Sequence, residues 1–346
     1  MSKRAWLILA DGHLRERNAK TAHGVLRYSR DDVVAVLDRD HAGRDIAEVM
    51  PELRRSAPIV ASVAEALVLE PTSLLLGVAT PGGWMPPEWR TWILEAIDSG
   101  LEIVNGLHTM LNDDPELLAR AAERGVRLWD VRQPPADIPL FSGKSLTIPQ
   151  RVVATVGSDC AVGKKTTAIE IAAAGRASGV ATEFIATGQT GVLIAGKGIA
   201  IDRVIADFLS GAAEKLVLDA EPDSEVLVVE GQGSLWHPAY AGVTLGLLHG
   251  TAPEVLVLCH HAGREHIEEP PYTRLPALEE MISTYEQMAA TVRPAKVACI
   301  SLHCGHLGTE GARAAVAEME ERTGLPTGDV WSGDGPKLWD AVSEAL

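Results

Sequence analysis

One stretch constrains this chain more than any other. Val152-Val153-Ala154-Thr155-Val156-Gly157-Ser158-Asp159-Cys160-Ala161-Val162-Gly163-Lys164-Lys165-Thr166-Thr167 reads as an apolar strand, a glycine-bounded loop and the start of a helix. Glycines let the backbone curl, so that several N–H groups converge on an anion. The helix N-terminus adds partial positive charge, and a lysine there supplies a full one. A threonine hydroxyl at the helix start can ligand magnesium. The stretch therefore predicts a phosphate cradle built from Gly157, Ser158, Asp159, Cys160, Ala161, Val162, Gly163, Lys164, Lys165, Thr166 and Thr167. Its spacing departs from GxxxxGK[ST] in two ways. Five residues separate Gly157 from Gly163, and Lys165 intervenes between Lys164 and Thr166.

Around this loop the chain alternates strands and helices. Strands are expected at Trp6–Ala10, Asp32–Leu37, Ile59–Ser62, Ser73–Val78, Leu101–Gly106 and Val126–Val131, with helices at Arg44–Arg54, Glu88–Ser99 and Pro115–Arg124. Three prolines in Val131–Pro139 read as a linker. Beyond it come strands at Arg151–Val156, Ala181–Ala186, Glu225–Val229, Glu254–Leu258 and Lys296–Leu302. Helices are expected at Lys165–Ser178, Ile201–Ala213, Leu278–Thr291 and Glu310–Thr323. The expected architecture is α/β, with a Rossmann-like domain over residues 1–135 and a doubly wound phosphate-loop domain over 136–346.

The first domain lacks the GxGxxG fingerprint: Ala10-Asp11-Gly12-His13 follows its first strand, which argues against a nicotinamide cofactor. Lys20-Thr21-Ala22-His23-Gly24 and Thr80-Pro81-Gly82-Gly83-Trp84 are open between turn chemistry and ligand binding. In the second domain, Val226–Val229 runs into Glu230-Gly231-Gln232-Gly233. Glu230 is thus a candidate magnesium or water-network residue together with Thr166; Asp202 and Asp207 are weaker acidic candidates. A thiol inside a phosphate loop, at a helix N-terminus and beside two lysines, is expected to be acidic, which makes Cys160 a candidate acyl acceptor. His237 is the candidate general base. Arg264 is the candidate clamp for a substrate carboxylate. Gln189 and Lys197, in glycine-bounded loops, are candidate substrate contacts.

The loop resembles that of dethiobiotin synthetase, GTDTxVGKT, at Gly157, Asp159, Val162, Gly163, Lys164 and Thr166. More of the chain resembles one family. Gly157–Thr167, Thr187-Gly188-Gln189-Thr190-Gly191, Gly196-Lys197-Gly198, Glu230–Leu235, His237-Pro238, Lys20–Gly24 and Pro81–Gly83 are similar to the DgcN-like family, long carried as a domain of unknown function. That resemblance implies a Rossmann-like N-terminal domain, a P-loop C-terminal domain, and acetyl transfer from acetyl-CoA to the amine of D-glutamate. The loop by itself equally suits ATP with Mg2+ in a ligase-like enzyme of the dethiobiotin-synthetase type, or a nucleotide-binding sensor.

Charge narrows the partners further. The 31 basic and 47 acidic residues leave a net −16, of which −4 falls in residues 1–150 and −12 in 151–346. So acidic a second half repels nucleic acid, and a phosphate-bearing ligand needs a local, shaped site. No apolar run approaches the roughly 18 residues of a membrane span, and no signal-peptide pattern follows the start, so a cytoplasmic protein is expected. The expected partner is a small amino acid; homo-oligomerisation is left open. Cys259, Cys299 and Cys304 lie near His260, His261, His303 and His306, but their spacing matches no zinc pattern, and core thiols are expected.

Overall fold

In the computed structural model, which describes residues 3–346, every pairing within the two six-stranded sheets is parallel. The first sheet contains β1 (Ala5–Leu9), β2 (Asp32–Leu37), β3 (Ile59–Val60), β4 (Ser73–Leu76), β5 (Glu102–Asn105) and β6 (Leu128–Asp130) in the order 3-2-1-4-5-6. This is the doubly wound Rossmann order. The second contains β7 (Arg151–Gly157), β8 (Thr182–Ile185), β9 (Val226–Val229), β10 (Val255–His261), β11 (Lys296–His303) and β12 (Thr327–Gly328) in the order 12-11-10-7-9-8. The central β7 pairs with β10 on one side and β9 on the other. The chain reverses its direction of travel across the sheet there, and such a switch point opens a crevice at the strands' carboxyl ends.

The chain parts into two units at Gln133/Pro134, and residues 189–200 pack with the first unit rather than the second. The linker prolines give no sign of that excursion. Within the first unit, the hydroxyls of Thr21 and Thr190 form a buried pair at 3.1 Å, and the Gln189 side chain lies over Gly106. Inside the second unit, buried Glu214 on the helix Leu209–Leu218 accepts from the Ser142 N–H, the Ser142 hydroxyl and the Ser145 N–H. Those bonds tie the segment after the linker to the domain it enters.

Local sequence accounts for most elements. The helix Pro115–Arg124 has Asp114 accepting from the Glu116 and Leu117 N–H groups, proline in its first turn and Gly125 in the left-handed region after its end. Two expected helices come out differently. Arg44–Arg54 is cut to Ile46–Val49 plus a 3-10 turn at Pro51–Leu53, because Pro51 cannot donate into a continuing helix. Ile201–Ala213 is a pair of 3-10 turns followed by the helix Leu209–Leu218. Helices at Lys20–Tyr28, Gln189–Ala195, Ala241–Thr251 and Gly335–Ala345 were not anticipated.

The core of the second unit forms where Val153, Val228 and Val257 meet Ala168, Ile171, Leu338, Trp339 and Val342 from the helices Lys164–Ala177 and Gly335–Ala345. Cys259, Cys299 and Cys304 are buried, as expected of core thiols, and burial pushes the Cys259 and Cys304 thiols up to about 11. Among the described residues no helix is long and apolar enough to cross a membrane.

Candidate functional site

β7 delivers the loop to the switch point. Gly163 closes it at φ +98°, where a Cβ would also lie 2.2 Å from the Trp331 ring, so glycine is required on two counts. Lys164 then opens the helix Lys164–Ala177. Its buried ammonium donates to the Asp159 carbonyl at 2.7 Å, and desolvation lowers its pKa. The side chain thus arches back over the loop it follows.

Side chains from three further segments hold the loop in shape. The Ser158 hydroxyl meets His260 Nδ1 at 2.8 Å, the Ser158 N–H donates to the Cys259 carbonyl, and the Ser234 hydroxyl donates to the Ser158 carbonyl. Burial lowers the His260 pKa to about 4, so this ring is neutral at physiological pH. The buried Tyr285 hydroxyl donates to the Gly157 carbonyl at 2.7 Å. Asp159 is the best-connected member. Its Oδ1 accepts from the Cys160 N–H at 2.6 Å, and its Oδ2 accepts from Arg264 at 2.6 Å and the Glu268 N–H at 2.8 Å. Arg264, expected to clamp a substrate carboxylate, is therefore engaged by the loop's own aspartate. The acidic partner lies 105 residues away in sequence, a pairing only the fold creates.

Glu230 directly follows β9, beside the loop. Gly231 follows it so closely against β7 that a Cβ there would sit 1.8 Å from the Thr155 carbonyl oxygen. The Glu230 Oε2 accepts from the Thr187 and Gly188 N–H groups, at 3.0 and 3.1 Å. Burial raises its pKa; Lys165 is the leading influence in the opposite direction.

Two candidate catalytic side chains come close to one another. The polar side-chain atoms of Asp159, Cys160 and His237 all lie within 4.8 Å of one another. Asp159 already accepts from Arg264 and two N–H groups, so the trio brings a thiol and an imidazole beside an aspartate engaged by a guanidinium. His237 is buried, its ring lies tilted against Tyr240 with centroids 4.5 Å apart, and its Nδ1 accepts from the Ala239 N–H at 3.2 Å. In the neutral ring that bond puts the proton on Nε2, which makes Nε2 a donor. Gln189 and Lys197 lie in the segment packed with the first unit: Gln189 begins the helix Gln189–Ala195, and Lys197 is exposed between Gly196 and Gly198.

Sequence reasoning missed His260, Ser234 and Tyr285. Ser234 directly extends the Glu230–Gly233 run and was within reach of it; His260 was weighed only beside Cys259 as a zinc-type pattern, and Tyr285 carries no local signal. It also missed a row of rings beside the loop. Trp331 packs against Gly163, His303 lies 4.2 Å from Trp331, His261 lies 5.0 Å from His303, and His306 stacks on His261 at 4.5 Å.

Residues 139–338 match the P-loop domain of DUF1611, a domain of unknown function, and residues 39–134 match its Rossmann-like N-terminal domain. The chain belongs to the DUF1611 family. A crystal structure of a DUF1611 family protein from Anabaena variabilis is 38% identical, covers 99% of this chain and 100% of its own, and superposes with a TM-score of 0.94. A relative from Tritonibacter scottomollicae is 37% identical across 94% of both chains, and one from Pseudoalteromonas sp is 39% identical across 78% of this chain and 80% of its own. Both are named D-glutamate N-acetyltransferase. The DUF1611 P-loop domain of this chain thus carries its loop, its thiol and its imidazole within one domain.

Proposed function

We propose that this protein is an N-acetyltransferase that moves the acetyl group of acetyl-CoA to the amine of an acidic amino acid, D-glutamate first among the candidates. The observation that carries this reading is the convergence of Cys160 and His237 at the mouth of a phosphate loop, in a chain whose relatives bear that activity in their names. Coenzyme A presents a pyrophosphate, which suits the N–H groups of the loop and the two lysines at its helix. The ring row from Trp331 to His306 offers π-faces on which its adenine stacks.

Transfer forms an N–C bond and breaks the thioester C–S bond. The amine attacks in its neutral form, and charge develops first on the carbonyl oxygen and then on the departing sulfur. The amine sheds a proton as the N–C bond forms, and that proton ends on the CoA thiolate. The tautomer suits His237 Nε2–H to donate a hydrogen bond to the charge on oxygen or sulfur, a donor's role rather than the base its residue type suggested. A two-step course is favoured by the 4.8 Å grouping: the Cys160 sulfur takes the acetyl group as its proton goes to the leaving CoA thiolate, and the amine then takes the acetyl group and returns a proton to Cys160.

The test follows thiol release from acetyl-CoA across a panel of D- and L-amino acids. His237→Ala is expected to lower turnover with little change in CoA affinity. Parallel initial-rate lines, abolished in Cys160→Ser, mark the two-step course; intersecting lines mark direct transfer. No release with any amino acid, alongside amino-acid-dependent ATP consumption, refutes the acetyltransferase reading in favour of the ligase-like one.

A further inference from the structure

A phosphate loop ordinarily shares its ligand with magnesium. The hydroxyl directly after the loop lysine holds the ion, and an acidic group at a neighbouring strand end supports it. Each of these positions is altered here. The residue directly after Lys164 is Lys165, the second residue of the helix Lys164–Ala177. Thr166, the nearest hydroxyl, is one residue later and so is turned by about 100° around the helix axis. The strand-end acid Glu230 has Oε2 occupied by the Thr187 and Gly188 N–H groups, and the Lys165 charge stabilises its anion. The loop acid Asp159 is held by Arg264 and the Glu268 N–H. Magnesium, which demands near-octahedral oxygen ligation, finds a cation in place of its hydroxyl, an aspartate held by a guanidinium, and a glutamate with one oxygen taken by two backbone N–H groups. Thr166, Glu230 and Asp159 therefore do not fit as a magnesium set.

We propose that Lys165 takes the place of the divalent cation, so that this loop holds a polyphosphate ligand without metal. Lys165 stands at the helix start, where the usual magnesium hydroxyl would be, and its positive charge acts on Glu230. Together with Lys164 it gives two full positive charges at the helix N-terminus, a match for a diphosphate group. This inference rests on the polyphosphate reading of the loop given above, but not on which polyphosphate the loop takes.

Calorimetric titration of the full-length protein with CoA and, separately, with ADP, each in EDTA and in excess Mg2+, tests it. For at least one of the two, affinity is expected to agree between the two buffers to within about twofold. Lys165→Thr, which puts a hydroxyl directly after the loop lysine, is expected to bind that ligand about tenfold or more weakly in EDTA and to recover with Mg2+. Lys165→Arg is expected to stay indifferent to the metal. Binding of both ligands by wild-type protein only in Mg2+, binding of neither, or a Lys165→Thr protein as tight as wild type in EDTA overturns the proposal. The wild-type arm decides the matter even if Lys165→Thr does not fold. ADP binding in EDTA without CoA binding upholds metal-free recognition while removing the acetyl-CoA reading.

Discussion

Arg264→Ala separates two roles for the same guanidinium. In the structure Arg264 and Asp159 lie 2.6 Å apart, with side chains 14% and 1% exposed. Removing the arginine strands a buried carboxylate, a change that costs about 3–5 kcal/mol when nothing else compensates. Asp159 keeps the N–H groups of Cys160 and Glu268, so the expected loss of stability is smaller, about 2–3 kcal/mol. The loop would relax with it, so CoA affinity should fall while the KM for the amino acid holds. Urea unfolding and calorimetry read both quantities. Asp159→Asn supplies the decisive cross-check: in that background Arg264→Ala should cost little, giving a coupling of about 1–3 kcal/mol. If Arg264→Ala leaves stability and CoA affinity intact and raises only the KM for D-glutamate, the guanidinium clamps substrate and the positioning argument is wrong.

Lys164→Ala should abolish CoA binding in calorimetry while the melting temperature holds or rises, because the buried ammonium is desolvated in the resting loop. Gly231→Ala should destabilise the protein by about 2–4 kcal/mol in urea unfolding and weaken CoA binding as well, since its Cβ would lie 1.8 Å from the backbone oxygen of Thr155 on the strand that carries the loop. Glu214 titrates below the usual carboxylate range: burial works to raise its pKa, but the bonds from Ser142, Ser145 and Lys144 together outweigh it. The stability it contributes is therefore complete above the unfolded glutamate value of about 4.3 and is lost as pH falls through the lower folded value. Glu214→Gln should flatten this acid limb of the stability–pH curve; an unchanged limb would show that the carboxylate does not anchor the linker.

The amino-acid sequence alone determined the α/β class, the position of every strand but the two-residue β12, and the phosphate loop with its flanking strand and helix. These are local matters: apolar runs, turn residues and glycine spacing act over a few neighbours. Cys160 and His237 could be singled out by position, one in the loop and the other after the Glu230 strand end, but that their polar atoms lie within 4.8 Å of one another is a matter of the fold. Tertiary structure decided what those residues are available to do. Arg264 meets Asp159 across 105 residues, His260 and Tyr285 brace the loop from distant segments, and the Ala239 N–H selects the His237 tautomer. Residues 189–200, which in sequence belong to the second domain, pack with the first. The physical reason is common to all of these. A buried charge or polar atom must find a partner, and which partner it finds depends on strand order and helix placement rather than on the residues beside it in the chain.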